Sequence, residues 1–343
     1  MSLYTIRQLL EVTRENFKFD PLFLTLFFQR VYTFESEEIM LDKIPGEVKM
    51  AVYCAPMITG KVDHSRGGMR TTFRPGYVKP KHTVNPGQLT SGIPGEDPSD
   101  PMTLRERLDN AIFQNLADED LAISQLEEFQ AVQAVLYGKY LLTSEDFPTE
   151  EIDMKRNPEN NIIQSAETAW SAQDPDTYDP TGDIDMYADN ASGTINIMVL
   201  DGKAWTALNR FKLFREKLDT RRGSQSRLET ALKDLGDTVS YKGYYGDVLV
   251  VVYKGQYIDP KTGQKTRYLP DNTMVLGNTQ SKGYRTYGAI TDLVAIKEGM
   301  TQGTRFPRTW SVEGDPAVEM TMTQSAPAMI LSDANAFVVV QLA

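Results

Sequence analysis

The chain has 343 residues, of which 36 are Lys or Arg and 47 are Asp or Glu, so its formal net charge is −11. This length predicts two or three packing units, or one core with long excursions, and the negative charge argues against general binding to DNA phosphates. With one cysteine, Cys54, and two histidines, His64 and His82, the chain can form neither an intramolecular disulfide nor a multi-cysteine zinc site.

The first strongly apolar run is Pro21 to Phe28, PLFLTLFF. It is far shorter than the about 20 residues that a membrane-spanning helix needs. It therefore predicts a buried helix, with Asp20 as N-cap and Pro21 at the first helical position. The segment before it carries charges from Arg7 onward and shows no export signal, so we expect no membrane partner.

A basic segment at 58–95 is rich in Gly, Pro and Thr and poor in aliphatic residues. So long a segment without its own core is uncommon in a compact domain, and with Gly67-Gly68 as a turn it predicts an extended two-stranded arm. Its net charge is +5, because Asp63 is its single acidic residue. We predict that six basic residues of the arm contact another copy of the chain: Lys61, Arg66, Arg70, Arg74, Lys79 and Lys81.

The strongest secondary-structure signal is a long helix that begins at a capping box, Thr103-Leu104-Arg105-Glu106. Apolar residues recur on one wide face as far as Tyr140, which corresponds to about 57 Å at 1.5 Å per residue. The acidic cluster at 118–120 could instead divide the segment into two helices, and both alternatives stay open. The following acidic residues are expected largely off the apolar face: Asp118, Asp120, Glu127 and Glu128.

Residues 145–189 are strongly acidic, with thirteen Asp or Glu against Lys155 and Arg156, a net charge of −11. Such a stretch is typical of a solvated face. It would also suit docking of the basic arm of a neighbouring copy, since opposite charges favour association. The residues alone leave both interpretations open.

The second half of the chain alternates in the manner of an α/β module. Thr194 to Leu200 predicts a buried strand, followed by one helix whose apolar stripe runs over 204–218. Val248 to Tyr253 predicts a second strand, paired in a hairpin with 266–269 across the turn at 259–263. The apolar run at 336–343 predicts a last strand tied into the core.

Motifs of enzyme chemistry are missing, including the nucleophile-elbow, phosphate-loop, dinucleotide and zinc-peptidase spacings. His64 and His82 have no cysteine or acidic partner at ligand spacing, and Cys54 has no histidine near it in sequence. The segment Arg221–Ser224 could bind phosphate or connect two helices. We therefore predict no catalytic residue, no cofactor and no metal site.

Several sequence blocks spread over the chain carry a family resemblance. They are FKFDPLFLTLFFQR at 17–30, SRGG at 65–68, PGYVKPKH at 75–82, EKLDTRRGSQS at 216–226, VSYKGYYGDV at 239–248, LPDNTMVLGNTQ at 269–280, QSAPAMIL at 324–331 and VQLA at 340–343. Together they resemble the major capsid, or head, proteins of lambda-like tailed bacteriophages, and the resemblance covers essentially the whole chain.

The resemblance implies an α+β fold of the HK97 capsid type. On that fold, 1–51 would be an N-terminal arm and 52–100 an extended hairpin called the E-loop. A long spine helix and the peripheral domain would occupy 101–185, and the axial domain 186–316. Residues 317–343 would return the chain to the peripheral domain.

The resemblance also implies a structural function. Copies would form pentamers and hexamers and assemble into the icosahedral head of a tailed phage, with scaffolding, portal and decoration proteins as partners. The shell would enclose packaged double-stranded DNA without sequence-specific binding, and it would be part of the virion after assembly in the bacterial host cytoplasm. The alternatives are an encapsulin-like compartment shell and a cytosolic α/β enzyme.

Overall fold

The computed structural model describes residues 21–43, 69–90, 102–144, 147–165, 167–219, 238–281 and 283–343. Within those ranges the helices are α1 (Leu22–Phe27), α2 (Pro86–Thr90), α3 (Leu104–Tyr137), α4 (Thr181–Ala188), α5 (Gly202–Asn209), α6 (Lys212–Lys217) and α7 (Leu293–Glu298). The strands of the first half are β1 (Arg30–Thr33), β2 (Ile39–Lys43), β3 (Met69–Phe73), β4 (Lys81–Val84), β5 (Lys139–Ser144), β6 (Phe147–Asp153) and β7 (Asn161–Ile163). Those of the second half are β8 (Ile197–Leu200), β9 (Val239–Tyr245), β10 (Val248–Tyr253), β11 (Gln256–Ile258), β12 (Lys265–Arg267), β13 (Thr273–Gly277), β14 (Gly283–Tyr287), β15 (Phe306–Val312), β16 (Val318–Gln324), β17 (Pro327–Leu331) and β18 (Val338–Gln341).

A mixed sheet in the order β7-β18-β13-β8-β10-β9 lies at the centre of the larger core. Successive residues of β8 alternate between two apolar clusters, as side chains of a strand must. Ile197 and Val199 pack in the cluster that contains α1, and Met198 and Leu200 pack with α5 and α6. The sheet is therefore buried on both faces, and β18 confirms the prediction of an apolar last strand within the core.

Two predictions about the second half were wrong. The helix predicted over 204–218 is divided into α5 and α6, because the backbone N–H of Lys212 donates to the Pro175 carbonyl at 3.0 Å instead of continuing the helical ladder. The β10 strand pairs with β8 and β9, and the turn at 259–263 joins the short, polar strands β11 and β12. The apolar run of β10 needs burial on both faces, which a surface hairpin cannot supply.

The apolar run at 21–28 forms α1, and its side chains are buried as predicted. Pro21 is not the first helical residue but the N-cap, with an extended backbone and no capping side chain. Asp20, the predicted cap, lies outside the described residues. None of the helices in the described ranges is long and apolar enough to cross a bilayer.

The long helix α3 begins at the predicted capping box, in which the Thr103 side chain and the Glu106 side chain each bond the other's backbone. It continues without a break through 118–120 and ends where Gly138 adopts a left-handed conformation, φ +68°. Its 34 residues extend about 51 Å. The prediction for its acidic residues was partly wrong, because Glu127 and Glu128 are buried.

The described part of the predicted arm does not form a hairpin with itself. β3 pairs with β2, and β4 pairs with β16 on a different sheet. The chain between them is also held, because Val78 and Ser325 exchange two backbone hydrogen bonds of 2.8 and 3.0 Å. The proposed turn at Gly67-Gly68 lies outside the described residues, as do Cys54, His64 and the Arg221–Ser224 segment.

Candidate functional site: the arm segment and its anchor on the long helix

Four of the six predicted contact residues lie along the arm segment, which we define as residues 69–84. Arg70, Arg74, Lys79 and Lys81 are all exposed there. Lys61 and Arg66 lie outside the described residues. The chain thus places a row of cations on its surface at the position where the sequence predicted an intersubunit contact.

The intramolecular contacts of Arg74, Lys79 and Lys81 are weak. The Nη2 atom of Arg74 lies 3.4 Å from Oε2 of Glu37, and both side chains are more than half exposed. An ion pair so exposed to water contributes about 0–1 kcal/mol. The Nζ of Lys79 lies 4.8 Å from the ring centroid of Tyr77, and the Nζ of Lys81 lies 5.1 Å from that of Trp310. Aromatic rings therefore orient the charges of Lys79 and Lys81, and both side chains remain exposed to a partner.

A groove of about 920 Å³ separates the arm segment from the long helix. Arg74, Tyr77 and Lys79 line the arm side, Ile123 and Leu126 line the α3 side, and Pro260 lines the end formed by the β11–β12 turn. The structure brings Arg74 and Lys79 to this groove. Lys81 lies beside Trp310 instead, on the sheet formed by β15, β16 and β4.

The arm segment is fastened to α3 through a buried carboxylate, Glu119. Its two oxygens accept hydrogen bonds from the hydroxyls of Thr321 and Thr323 on β16, at 2.7 and 2.8 Å. Oε1 also lies 3.2 Å from Nδ1 of His82 on β4. Burial raises the pKa of the Glu119 carboxyl, and the hydroxyl and imidazole hydrogen bonds offset part of that rise. One side chain therefore connects α3, the arm segment and strand β16.

A second set of buried side chains on α3 holds Arg305, which lies just before β15. The guanidinium of Arg305 donates to Oδ1 of Asp120 and Oε1 of Glu127, both at 2.6 Å, and to the Ser124 hydroxyl at 3.3 Å. Burial alone would lower the pKa of Arg305, but the Glu127 and Asp120 carboxylates raise it. Since all three charged side chains are at most 15% exposed, this is a buried, multiply hydrogen-bonded ion cluster.

These groups suit mechanical fixation rather than covalent chemistry. Their polar atoms are occupied in linking elements, and the described ranges contain no group of three His, Cys, Asp or Glu suited to a metal ion. His82, which the sequence did not favour as a metal ligand, contributes to the contact with Glu119.

Comparison with known proteins identifies the family. A family model described as phage major capsid protein E matches residues 5–342. The chain belongs to the phage major capsid protein E family. Its function is accordingly structural, as a capsid subunit that forms the head shell of a tailed phage, and it is not an enzyme. The enzyme alternative drawn from the sequence was wrong.

Relatives match this capsid protein over its full length. It is 56% identical to the major capsid protein of Escherichia phage lambda over 346 residues, covering 100% of both chains. Identity to the major capsid protein of Escherichia phage N15 is also 56%, over the same coverage. These similarities confirm the predicted resemblance to lambda-like head proteins.

The similarity extends to solved structures. The crystal structure assigned as the capsid protein of a prophage in Escherichia coli CFT073 has a TM-score of 0.85, with 40% identity and 100% coverage of both chains. A phage-related protein of Bordetella bronchiseptica, 13% identical, shares the fold at a TM-score of 0.52 over 99% of this chain. The α+β fold of the HK97 capsid type is therefore confirmed.

The sequence did not predict the anchoring roles of Glu119, Glu127 and Arg305. A signal for the two glutamates was available, because both stand in a series of buried residues that follow one another at intervals of three or four positions on one helix face: Ile112, Leu116, Glu119, Ile123 and Glu127. A carboxylate in register with an apolar stripe indicates a buried polar contact. The identity of its partners, which lie about 200 residues away in the chain, had no local signal.

Proposed function

We propose that copies of this chain join as pentamers and hexamers into an icosahedral head, with the arm segment of each copy gripping a neighbour. The observation that carries the proposal is the pairing of β3 and β4 with two different sheets of the same subunit. A segment that is fastened at both ends and at Val78 holds its exposed cations in fixed positions on the subunit surface, where a neighbouring copy can contact them. Membership in a shell-forming capsid family supports the same role.

The contact residues in this proposal are Lys61, Arg66, Arg70, Arg74, Lys79 and Lys81. Their partner is the acidic segment 145–189 of the adjacent copy. Among its described residues, Glu167, Asp174, Asp176 and Asp189 are exposed and so accessible to a docked cation. Repetition matters here, because one surface pair is weak but a closed shell repeats each contact many times.

The remaining elements of the proposal follow the family resemblance. The domain boundaries at 51, 100, 185 and 316 separate the N-terminal arm, the E-loop, the spine helix with peripheral domain, the axial domain and the C-terminal return. Scaffolding, portal and decoration proteins are the partners during assembly in the bacterial host cytoplasm. The shell in the virion encloses double-stranded DNA, and the net charge of −11 favours a wall to which DNA phosphates do not adhere.

Charge reversal with electron microscopy tests the gripping role. We expect the triple variant R66E/R70E/R74E to remain folded, with unchanged circular dichroism, and to lose closed shells in negative stain. A matched control reverses three exposed cations away from the arm, in the triple variant K212E/K254E/K297E, and should assemble. Shell yield of the arm variant equal to that of the wild type would overturn the arm contact.

The identity of the cargo separates this proposal from the compartment alternative. Heads purified after expression with the phage packaging proteins should contain double-stranded DNA and a single portal vertex. Shells that instead enclose a host enzyme and never incorporate a portal would support the encapsulin-like compartment.

A further inference from the structure

The sheet formed by β15, β16 and β4 has an inverted polarity. Along β16 the polar residues Glu319, Thr321 and Thr323 are buried, and the hydroxyls of the two threonines bond to Glu119 of α3. The alternate residues face away from α3, and they are apolar: Val318, Met320 and Met322. A sheet with one solvated face normally places apolar residues inward and polar residues outward.

Register across the three strands extends this apolar surface. Trp310 lies opposite Met320, which lies opposite Thr83, and Val312 lies opposite Val318. In the next row, Arg308, Met322 and Lys81 are neighbours. We call this surface the outer face, and define it by the following residues: Lys81, Thr83, Arg308, Trp310, Val312, Val318, Met320 and Met322.

Charge is distributed unevenly along the outer face. At one end, the Lys81 ammonium and the Arg308 guanidinium lie 5.1 and 5.3 Å from the ring centroid of Trp310. Arg308 is also paired with Asp292 at 2.7 Å, so the net positive charge of this end comes from Lys81. At the other end, the turn between β15 and β16 carries Glu313 and Asp315, both exposed. The two ends are about 14 Å apart, since four strand residues separate Arg308 from the turn. A surface that is positive at one end and negative at the other is complementary to a second surface of the same kind.

We propose that the outer face is an interface between copies of this chain, on which the Lys81 end of one copy meets the Glu313–Asp315 turn of another. The apolar centre supplies burial, and the charged ends supply orientation. The inversion of polarity has a reason in this arrangement, because β16 is buried on both faces once the copies meet. The inference rests on the proposed head function, and it assigns Lys81, one of the six basic contact residues, to the Glu313–Asp315 turn of another copy in place of the acidic segment 145–189.

Removal of the apolar centre tests the interface. We expect the double variant M320S/M322S to keep the melting temperature of the unassembled subunit within a few degrees and to lower shell yield at least tenfold. The control L293S/I296S removes an equally apolar pair, 66% and 58% exposed on α7, and should assemble normally. Normal shell yield in the M320S/M322S variant, or an equal loss in both variants, overturns the role of this face.

Crosslinking identifies the occupant. Shells assembled from a mixture of ¹⁵N-labelled and unlabelled chains are treated with a zero-length carbodiimide and analysed by peptide mass spectrometry. We expect mixed-isotope peptides that join Lys81 to Glu313 or Asp315, present in shells and absent from unassembled subunits. Intact shells without any mixed-isotope crosslink from Lys81 overturn this contact. Crosslinks from Lys81 only to the acidic segment 145–189 of another copy, or only to a co-assembled partner protein, overturn it as well.

The experiments distinguish a failure of the proposed head function from a failure of the outer-face interface. If the wild-type chain forms no shells when expressed with its scaffolding protein, the head proposal itself is wrong. If wild-type shells form and the outer-face variant forms them equally well, only the present inference is wrong.

Discussion

Glu128 caps a helix to which it does not belong: its Oε1 accepts a hydrogen bond from the backbone N–H of Phe23 at 2.9 Å. Oε2 accepts a second hydrogen bond, from the N–H of Leu24 at 3.0 Å, and the Tyr253 hydroxyl donates to Oε1 at 3.0 Å. Pro21, the N-cap residue of α1, provides no side-chain acceptor, so the first-turn donors depend on α3. The carboxylate also lies at the positive end of the α1 dipole.

The opposite end of α1 is held by a charge of the opposite sign. Arg285 on β14 donates from Nε to the Phe28 carbonyl at 2.7 Å and from Nη2 to the Leu24 carbonyl at 3.0 Å. Isolated helices of six residues are unstable in water, since nucleation is costly. The short α1 helix therefore exists because two remote charged groups satisfy its ends and because its apolar side chains fill the core.

Replacing Glu128 with alanine should destabilise the subunit strongly. The change leaves two backbone N–H groups and the Tyr253 hydroxyl buried without their acceptor, and each such loss costs about 1–3 kcal/mol. We expect a loss of at least about 3 kcal/mol in the free energy of unfolding, measured by urea denaturation of the unassembled subunit. The variant Glu128→Gln keeps an acceptor oxygen and should lose less than half as much. Equal stability of the alanine variant and the wild type would contradict the capping role.

Glu128 should also make the stability of the subunit depend on pH. Burial raises its pKa from 4.5 to about 7, although the hydrogen bonds from α1 and Tyr253 partly oppose that rise. Between these values the folded chain holds a proton that the unfolded chain has released. The stability that the raised pKa of Glu128 contributes is therefore complete below about pH 4.5 and is lost as the pH rises through 7. The free energy of unfolding changes by about 3 kcal/mol over this range. The urea midpoint of the wild type should therefore be higher at pH 5 than at pH 8, and the difference between the two midpoints should be smaller in the Glu128→Gln variant.

Arg305→Leu should strongly destabilise the subunit, because Arg305 is the cation of the buried ion cluster on α3. Removing the guanidinium leaves Asp120 and Glu127 buried without their cation, and breaking a buried ion pair in this way costs about 3–5 kcal/mol. The variant Arg305→Lys retains one charge but cannot bond both carboxylates and Ser124 at once, so an intermediate loss is expected. Thermal melting of the two variants checks that Arg305→Lys is less destabilising than Arg305→Leu. A lysine variant as unstable as the leucine variant would show that charge is unimportant here.

Gly138→Ala should destabilise the end of α3 by more than the cost of placing an alanine in a left-handed backbone conformation. A methyl group at this position would collide with Cβ and Cδ of Arg156. That arginine donates from Nη1 to the Val135 and Leu136 carbonyls at 2.6 and 3.0 Å, which caps the helix. Gly246→Ala is the matched control, because Gly246 has φ +55° and no atom within 4 Å of an added Cβ.

The control isolates the cost of a left-handed alanine, about 1 kcal/mol. We expect Gly138→Ala to exceed it by at least about 1 kcal/mol in urea unfolding, since overpacking in a filled site typically costs that much or more. Equal losses at the two positions would mean that Arg156 moves aside without cost.

Local patterns were sufficient for several elements. The capping box at Thr103 and the apolar periodicity that follows it predicted α3, and the run at 21–28 predicted a buried helix, because both signals act within one or two helical turns. The resemblance blocks were sufficient for the family, and with it the fold class. The six basic contact residues stay a prediction, although four of them lie exposed along the arm segment.

The pairing of strands that are far apart in the chain could not be predicted from local patterns. The strand before the predicted turn at Gly67-Gly68 lies outside the described residues, so the hairpin of the arm stays a prediction. What the sequence did not suggest is that β3 joins β2 and that β4 joins β16. Strand pairing depends on which apolar faces can be buried together, and residues separated by more than 200 positions leave no local trace of that choice. The wrong hairpin of β10 has a different cause: its antiparallel partner β9 precedes it across a short turn at Gly246-Asp247, whereas the prediction paired β10 with a later segment.

By itself, the sequence determined the long helix, the buried α1 segment, the basic composition of residues 58–95 and the absence of known enzyme motifs, since composition, capping and periodicity are properties of neighbouring residues. Only the tertiary structure decided that Glu119, Glu127 and Glu128 lie inside. A carboxylate can be buried only where hydrogen-bond donors converge on it, and here those donors come from Thr321, Arg305 and the first turn of α1. Their convergence is a consequence of the fold.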